Sequence, residues 1–185
     1  LMVKTIILYT KQTLLFIFLI SIFSCSKDTP EIVNEEELIT TVELSFNTQG
    51  ESEQKIRWET TAPNTAEIIL KSNTEYEVQI TFLDESDPGD IENINEEIIE
   101  EVDEHQVFFE FSGVTISYVQ SDSDPLDSNQ NPVFINTVWS TSVASSGIVR
   151  AFLIHEPTTK NSTTRNGFGG ETDVSVDIPI RILEE

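Results

Sequence analysis

Two histidines are the residues of this sequence best suited to bind a metal ion. His105 lies in "VDEHQVFF" and His155 in "FLIHEPTT", and the sequence contains no third histidine. Each stands at one end of an apolar run beside an acidic residue, Glu104 for the first and Glu156 for the second. Zn²⁺, Cu²⁺ and Fe accept neutral imidazole nitrogens together with carboxylate oxygens. If the two runs are antiparallel neighbours, the pattern predicts a shared site for one of these ions.

Further oxygen ligands stand in "GGETDV", where Glu171 and Asp173 precede the last apolar run. The sequence lacks a metal-binding spacing such as HExxH. A second interpretation therefore stays open, in which both histidines form hydrogen bonds with neighbouring acids and stabilise loops. The two interpretations differ in whether the imidazoles converge.

Axial ligation of haem is a different use of two imidazoles. The aromatic residues near the histidines, among them Phe108, Phe109 and Phe152, fit a haem pocket. Such aromatic residues are more often part of a hydrophobic core, which favours that interpretation.

Other chemistry has less support in the sequence. Asp122, Asp124 and Asp127 loosely resemble an Asp-rich Ca²⁺ loop, but Pro125 and Leu126 interrupt the order and no glycine follows. This pattern favours a solvated hairpin loop. The sequence has neither a nucleophile elbow nor a phosphate-binding glycine loop, so we do not expect an enzyme.

Apolar and polar residues alternate through most of the chain, which predicts about eight or nine β-strands. The fold class we expect is all-β, an antiparallel immunoglobulin-like β-sandwich. Ser112-Gly113 predicts a tight turn between two strands, and Pro179 predicts a sheet edge or a bulge. The alternating runs are Val42–Phe46, Ile56–Trp58, Tyr76–Phe82, Val107–Phe111, Val114–Tyr118, Ile135–Trp139, Ser146–His155 and Val174–Ile182.

One segment, Asp90–His105, has helical spacing of its apolar residues instead. Asn93 and Glu96 have the spacing of a capping box. Glutamates that recur every four residues repel one another along this helix. We expect a short acidic helix that crosses from one sheet to the other and runs into the strand near His105.

The formal net charge is −23. Nucleic-acid binding is excluded by this charge, because such proteins need a basic surface. Residues 38–185 are enough for one domain with its own core, and the polar, acidic residues 25–37 predict a flexible tether.

Cys25 is the only cysteine and follows the uncharged run "TLLFIFLISIF", which Lys4 and Lys11 precede. A basic start and a short apolar run predict a signal peptide over residues 1–24, since a membrane span needs about 20 apolar residues. "IFSC" resembles a lipobox, which implies lipid attached at Cys25. An ordinary signal peptide with an incidental cysteine is the alternative.

The lipobox, "EEVDEHQVFF", "IHEP" and "GGETDVSV" together resemble a family of small flavobacterial outer-membrane lipoproteins. The residues "SKDTPE" after Cys25 resemble the signals that send Bacteroidota lipoproteins to the cell surface. Members of the family are often labelled with a type 1 periplasmic binding fold, but that label implies α/β alternation, which the sequence does not show.

The resemblance implies a lipid-anchored protein at the periplasmic or cell-surface face of the outer membrane. Two functions stay open. The first is capture of a transition-metal ion or metal complex for a TonB-dependent transporter. The second is a structural or protein-interaction lipoprotein without a small-molecule ligand.

Overall fold

The computed structural model describes residues 37–184; Cys25, the predicted signal peptide and nearly all of the predicted tether lie outside them. The described residues form two β-sheets, which confirms the predicted all-β sandwich. The elements are β1 (Thr41–Asn47), β2 (Gln54–Glu59), β3 (Ile68–Lys71), β4 (Glu75–Asp84), β5 (Glu92–Asn93), α1 (Asn95–Glu100), β6 (His105–Ser112), β7 (Ile116–Gln120), β8 (Asn136–Thr141), β9 (Ser145–His155), α2 (Arg165–Phe168) and β10 (Glu171–Leu183).

The larger sheet has the strand order β2-β1-β4-β8-β7, with β5 paired to the end of β4. The smaller sheet has the order β3-β10-β9-β6. All of these strand pairs are antiparallel except β3 with β10, which are parallel. Two sheets that each bury one face against the other make the core of a sandwich.

Aromatic rings tie the two sheets together. Trp139 of the larger sheet lies edge-on to Phe109 and Phe111 of the smaller sheet, at centroid distances of 5.1 and 5.0 Å. It also lies edge-on to Phe46 of its own sheet at 5.5 Å. Such pairs each contribute about 0.5–1.5 kcal/mol beyond their buried area. The indole N–H donates to Oγ1 of Thr137 at 2.9 Å, so the buried ring leaves no unpaired donor.

The predicted tight turn at Ser112-Gly113 does not join two paired strands. β6 lies in the smaller sheet and β7 in the larger, so the chain changes sheet at this point. Gly113 has a φ of +79°, and a Cβ there would lie 2.8 Å from the backbone oxygen of Ser146. The strands β8 and β9, predicted from successive runs, also belong to different sheets. Alternation identifies a strand, but it does not identify the sheet to which the strand belongs.

The acidic helix is shorter than predicted. α1 has six residues, and β5 pairs with β4 where the helix was expected to begin. Ile98 is buried, but Ile91 and Ile99 are exposed, so only part of the predicted apolar face packs. The expected capping box is absent, since the N-cap residue Ile94 has no side-chain cap. The predicted crossing is present, because the segment leads from β5 of the larger sheet to β6 of the smaller.

Pro179 lies in β10, an inner strand of the smaller sheet, so the predicted edge strand is wrong. It pairs with Ile148 of β9 on one side. On the other side, the pairing with β3 begins only at Ile180. A proline is tolerated here because, on the side facing β3, the strand has no pairing partner yet at this position.

β9 is apolar on both faces because a second, smaller cluster lies on the outer face of the smaller sheet. It contains Phe108, Phe152, Ile154 and Phe168, the last from α2. No helix within residues 37–184 is long and apolar enough to cross a membrane.

Candidate metal centre

The two histidines converge, a point that the sequence alone left open. β6 begins with His105 and β9 ends with His155, and the antiparallel register places these residues directly opposite each other. Opposed residues of an antiparallel pair project from the same face. The two rings are stacked, with centroids 4.9 Å apart and an interplanar angle of 12°.

Both histidines project into the sandwich. Each is in phase with core residues of its strand, His105 with Val107 and His155 with Leu153. The residues are 0% and 4% exposed, respectively. Imidazoles buried this deeply need partners for their ring nitrogens.

The hydrogen bonds of His105 define the role of each of its nitrogens. Nδ1 lies 3.2 Å from the backbone oxygen of Glu101, at the end of α1. A carbonyl only accepts, so Nδ1 carries a proton. Nε2 lies 2.8 Å from Oε1 of Glu37. It therefore either donates a second proton to this carboxylate or directs a lone pair to a cation that the carboxylate also binds.

Glu37 is the functional residue that the sequence analysis missed. It was assigned to the end of the tether, as one of three glutamates in "NEEEL". The structure places its side chain against His105, with 4% of it exposed. The contact joins residues 68 positions apart in the sequence. Nothing in an acidic run of the sequence marks Glu37 as a residue whose side chain folds inward.

Asp173 reaches the histidines through a β-bulge. Thr172 pairs with Ile154 and Val174 with Leu153, so Asp173 is an extra residue between two consecutive pairs of β10 and β9. A bulge redirects a side chain that strict alternation would leave on the other face. The Asp173 side chain is 3% exposed, and its Oδ1 lies 3.9 Å from Nδ1 of His155.

We call Glu37, His105, His155 and Asp173 the buried centre. One ligand atom from each lies within 4.8 Å of the other three. Sequence analysis predicted three of these four residues.

The remaining predicted ligands lie elsewhere. Glu104 and Glu156 form a separate, exposed group with His155. Glu171 is opposite His155 in the register, but it is exposed and belongs to neither group.

Glu37 and His105 shift each other's pKa. The hydrogen bond from His105 lowers the pKa of Glu37, and this outweighs the opposing effect of burial. Burial alone would lower the pKa of His105, but the hydrogen bond and charge of Glu37, the Glu101 carbonyl and the charge of Asp173 together raise it. Without a metal ion, and at a pH between the lowered pKa of Glu37 and the raised pKa of His105, the two groups form an imidazolium–carboxylate ion pair.

Oε2 of Glu37 is buried and has no hydrogen-bond partner within residues 37–184. A buried polar atom without a partner costs about 1–3 kcal/mol. A carboxylate oxygen is a metal-ligand atom, so a bound cation would relieve this cost.

Haem does not fit between these rings. Axial ligands lie on opposite faces of a porphyrin, whereas the two imidazoles stack directly on each other. A groove of about 860 Å³ is lined by aromatic residues such as Phe108, Tyr118 and Phe134 and by neither histidine. The observed arrangement of the rings therefore does not allow haem to be held by both histidines.

The Asp-rich loop has a structural role. Asp124 accepts backbone N–H bonds from Phe134 and Asn136, each at 2.8 Å. Asp127 accepts backbone N–H bonds from Asn129 at 2.8 Å and Asn131 at 2.7 Å. The loop joins the antiparallel pair β7 and β8, and most of its residues between 121 and 130 are exposed, as predicted for a solvated hairpin loop. Asp124 and Asp127 are buried, and their hydrogen bonds fix its conformation.

Comparisons with protein-family models, with curated proteins and with solved structures found no match to this chain.

Proposed function

We propose that this protein binds a divalent transition-metal ion in the buried centre. The observation that carries the proposal is the convergence of two imidazoles and two carboxylates, with one ligand atom each within 4.8 Å of the others. Two nitrogen and two oxygen ligands suit Zn²⁺, Cu²⁺ and Fe²⁺. None of these four ligands is a thiolate.

Charge supports the same ion class. Glu37 and Asp173 together carry two negative charges when ionised, and two neutral imidazoles with one divalent ion make the set neutral. Without the ion, one imidazolium leaves these four side chains with a net negative charge. Two imidazolium rings would repel each other at a centroid distance of 4.9 Å. Buried charges are tolerated when they are compensated.

Binding requires a small rearrangement. A ligating imidazole holds its metal ion in the plane of the ring, and two nearly parallel planes do not meet near the rings. At least one ring must therefore rotate, so that the interplanar angle becomes larger than the observed 12°. The terminal torsion of histidine is broad, so this rotation costs little.

The predicted lipid anchor at Cys25 and a location at the outer membrane would make this a capture protein of the cell envelope. The net charge of −23 attracts cations toward such a surface. A TonB-dependent transporter is the recipient that we propose for the captured ion.

A structural or protein-interaction lipoprotein is the second candidate. The Glu37–His105 ion pair favours it, because this contact ties the first described residue to β6 without any ion. In that case the histidines stabilise the domain and bind nothing.

Metal content separates the two functions. The full chain, isolated in detergent without a histidine tag, is dialysed against Zn²⁺ and its zinc counted by mass spectrometry. We expect bound zinc in the wild type and a loss in His105→Ala/His155→Ala and in Asp173→Asn. Glu171→Gln is the control, because it removes an acid beside His155 that is outside the buried centre. A wild type that binds no Zn²⁺, Cu²⁺ or Fe²⁺ would support the structural role.

A further inference from the structure

His155 faces two different sets of acidic residues through its two ring nitrogens. Nδ1 lies 3.9 Å from Oδ1 of Asp173, whose side chain is buried. Nε2 lies 3.9 Å from Oε2 of Glu104, whose side chain is 56% exposed. The ring therefore stands between the buried centre and solvent.

His155, Glu104 and Glu156 form a compact set, with one ligand atom from each within 4.8 Å of the others. The backbone N–H of Glu156 donates a hydrogen bond to the backbone oxygen of Glu104 at 2.7 Å. This bond holds the start of β6 against the end of β9. Both glutamates are exposed. A cation can therefore reach their carboxylates from solvent.

Nε2 of His155 is the observation that points to a ligand here. It is buried and has no hydrogen-bond partner in the described part of the chain. The Glu104 oxygen at 3.9 Å is too distant to accept a hydrogen bond from it. A cation bound between this nitrogen and the two carboxylates would satisfy all three groups.

We propose that Nε2 of His155, Glu104 and Glu156 form a second, solvent-facing position for a divalent transition-metal ion. The proposal rests on the proposed function, because His155 belongs to both positions and contributes a different nitrogen to each. Two carboxylates balance the charge of one such ion. A ring bound to two ions releases its N–H proton to solvent. The outer ion binds more weakly than the buried one, since water competes for its ligands.

Zinc stoichiometry tests the second position. The full chain, in detergent and without a histidine tag, is dialysed against Zn²⁺ at increasing concentration. We expect two ions per chain in the wild type and one in Glu104→Gln/Glu156→Gln. The matched control is Glu96→Gln/Glu100→Gln, which removes two exposed charges from α1 that belong to neither position. We expect this control to keep both ions.

The outcomes separate this proposal from the proposed function. One zinc ion in the wild type, unchanged in Glu104→Gln/Glu156→Gln, would overturn the second position and leave the buried centre standing. Equal losses in the two glutamine pairs would reveal a general charge effect and would also overturn it. The buried centre is probed separately with Glu37→Gln, which we expect to remove only the tighter ion. If Glu37→Gln leaves that ion in place, the proposed function is wrong.

Discussion

The buried centre and the Asp-rich loop both contain buried carboxylates, yet the surroundings of these carboxylates differ. Asp124 and Asp127 accept backbone N–H bonds from residues of their own loop. Glu37 has one oxygen without a hydrogen-bond partner among the described residues, and its other oxygen faces an imidazole. A buried carboxylate therefore indicates a cation site only where the fold itself leaves its oxygens without donors.

Removing the imidazoles tests most strongly whether Zn²⁺ binds at the buried centre and not at the Asp-rich loop. We expect His105→Ala/His155→Ala to weaken Zn²⁺ binding by at least about 100-fold, more than the roughly 10–100-fold typical of changing residues that only hydrogen-bond to metal ligands. Asp124→Asn, in the loop, should leave Zn²⁺ affinity unchanged. Titration with a competing chelator measures both. Equal affinities of the double variant and the wild type would contradict the assignment of the ligands.

Substitutions in the Asp-rich loop should change the free energy of unfolding and leave the Zn²⁺ affinity unchanged. Asp127→Ala removes the acceptor of two backbone N–H groups, so we expect the free energy of unfolding to fall by about 1–3 kcal/mol. Denaturant titration of the metal-free protein measures the change. Asp122→Ala is the comparison, because Asp122 is exposed. If Asp127→Ala changed Zn²⁺ affinity and left stability unaltered, the loop would be the cation site.

Zn²⁺ affinity should rise with pH, because the ion must displace the proton on Nε2 of His105. The pKa of His105 is raised above its ordinary value of 6.5 by the Glu37 contact. Below that raised pKa we expect affinity to fall by about tenfold for each pH unit, for one displaced proton. Calorimetry in buffers of different ionisation enthalpy counts the released proton. An affinity that did not change between pH 5 and pH 8 would exclude His105 as a ligand.

The metal-free protein should show a smaller pH dependence of stability. The lowered pKa of Glu37 contributes stability above its ordinary value of 4.5, and this is lost as pH falls through the lowered pKa. The raised pKa of His105 contributes stability below its ordinary value of 6.5, lost as pH rises through the raised pKa. We therefore expect a maximum near pH 4.5–6.5, with a contribution of about 1 kcal/mol. Glu37→Gln should flatten this part of the profile in thermal unfolding.

The strands could be predicted because each buries one face, and burial imposes alternation on the sequence. Tyr76, Val78, Ile80 and Phe82 are all buried, as their spacing indicated. The assignment of strands to sheets could not be predicted, because alternation is the same in either sheet. The change of sheet at Gly113 depends on a close backbone approach between distant segments.

The candidate site was predicted in part for similar reasons. The two histidines stand at opposite ends of their apolar runs, so antiparallel pairing brings them together. Asp173 was predicted as a possible ligand at the start of the last strand. Its side chain points inward because of a β-bulge, and the sequence pattern does not predict that bulge. Glu37 comes from a segment 68 residues away from His105, and only tertiary packing selects it from its acidic neighbours.

X-ray absorption at the zinc edge, on the chain loaded with one equivalent of Zn²⁺, tests the central claim most directly. Glu104→Gln/Glu156→Gln serves as a second sample in which only the buried centre can fill. We predict two imidazole nitrogens and carboxylate oxygens in the first shell of both samples, at about 2.0–2.2 Å. A first shell without two imidazoles would contradict the buried centre as the site of metal binding.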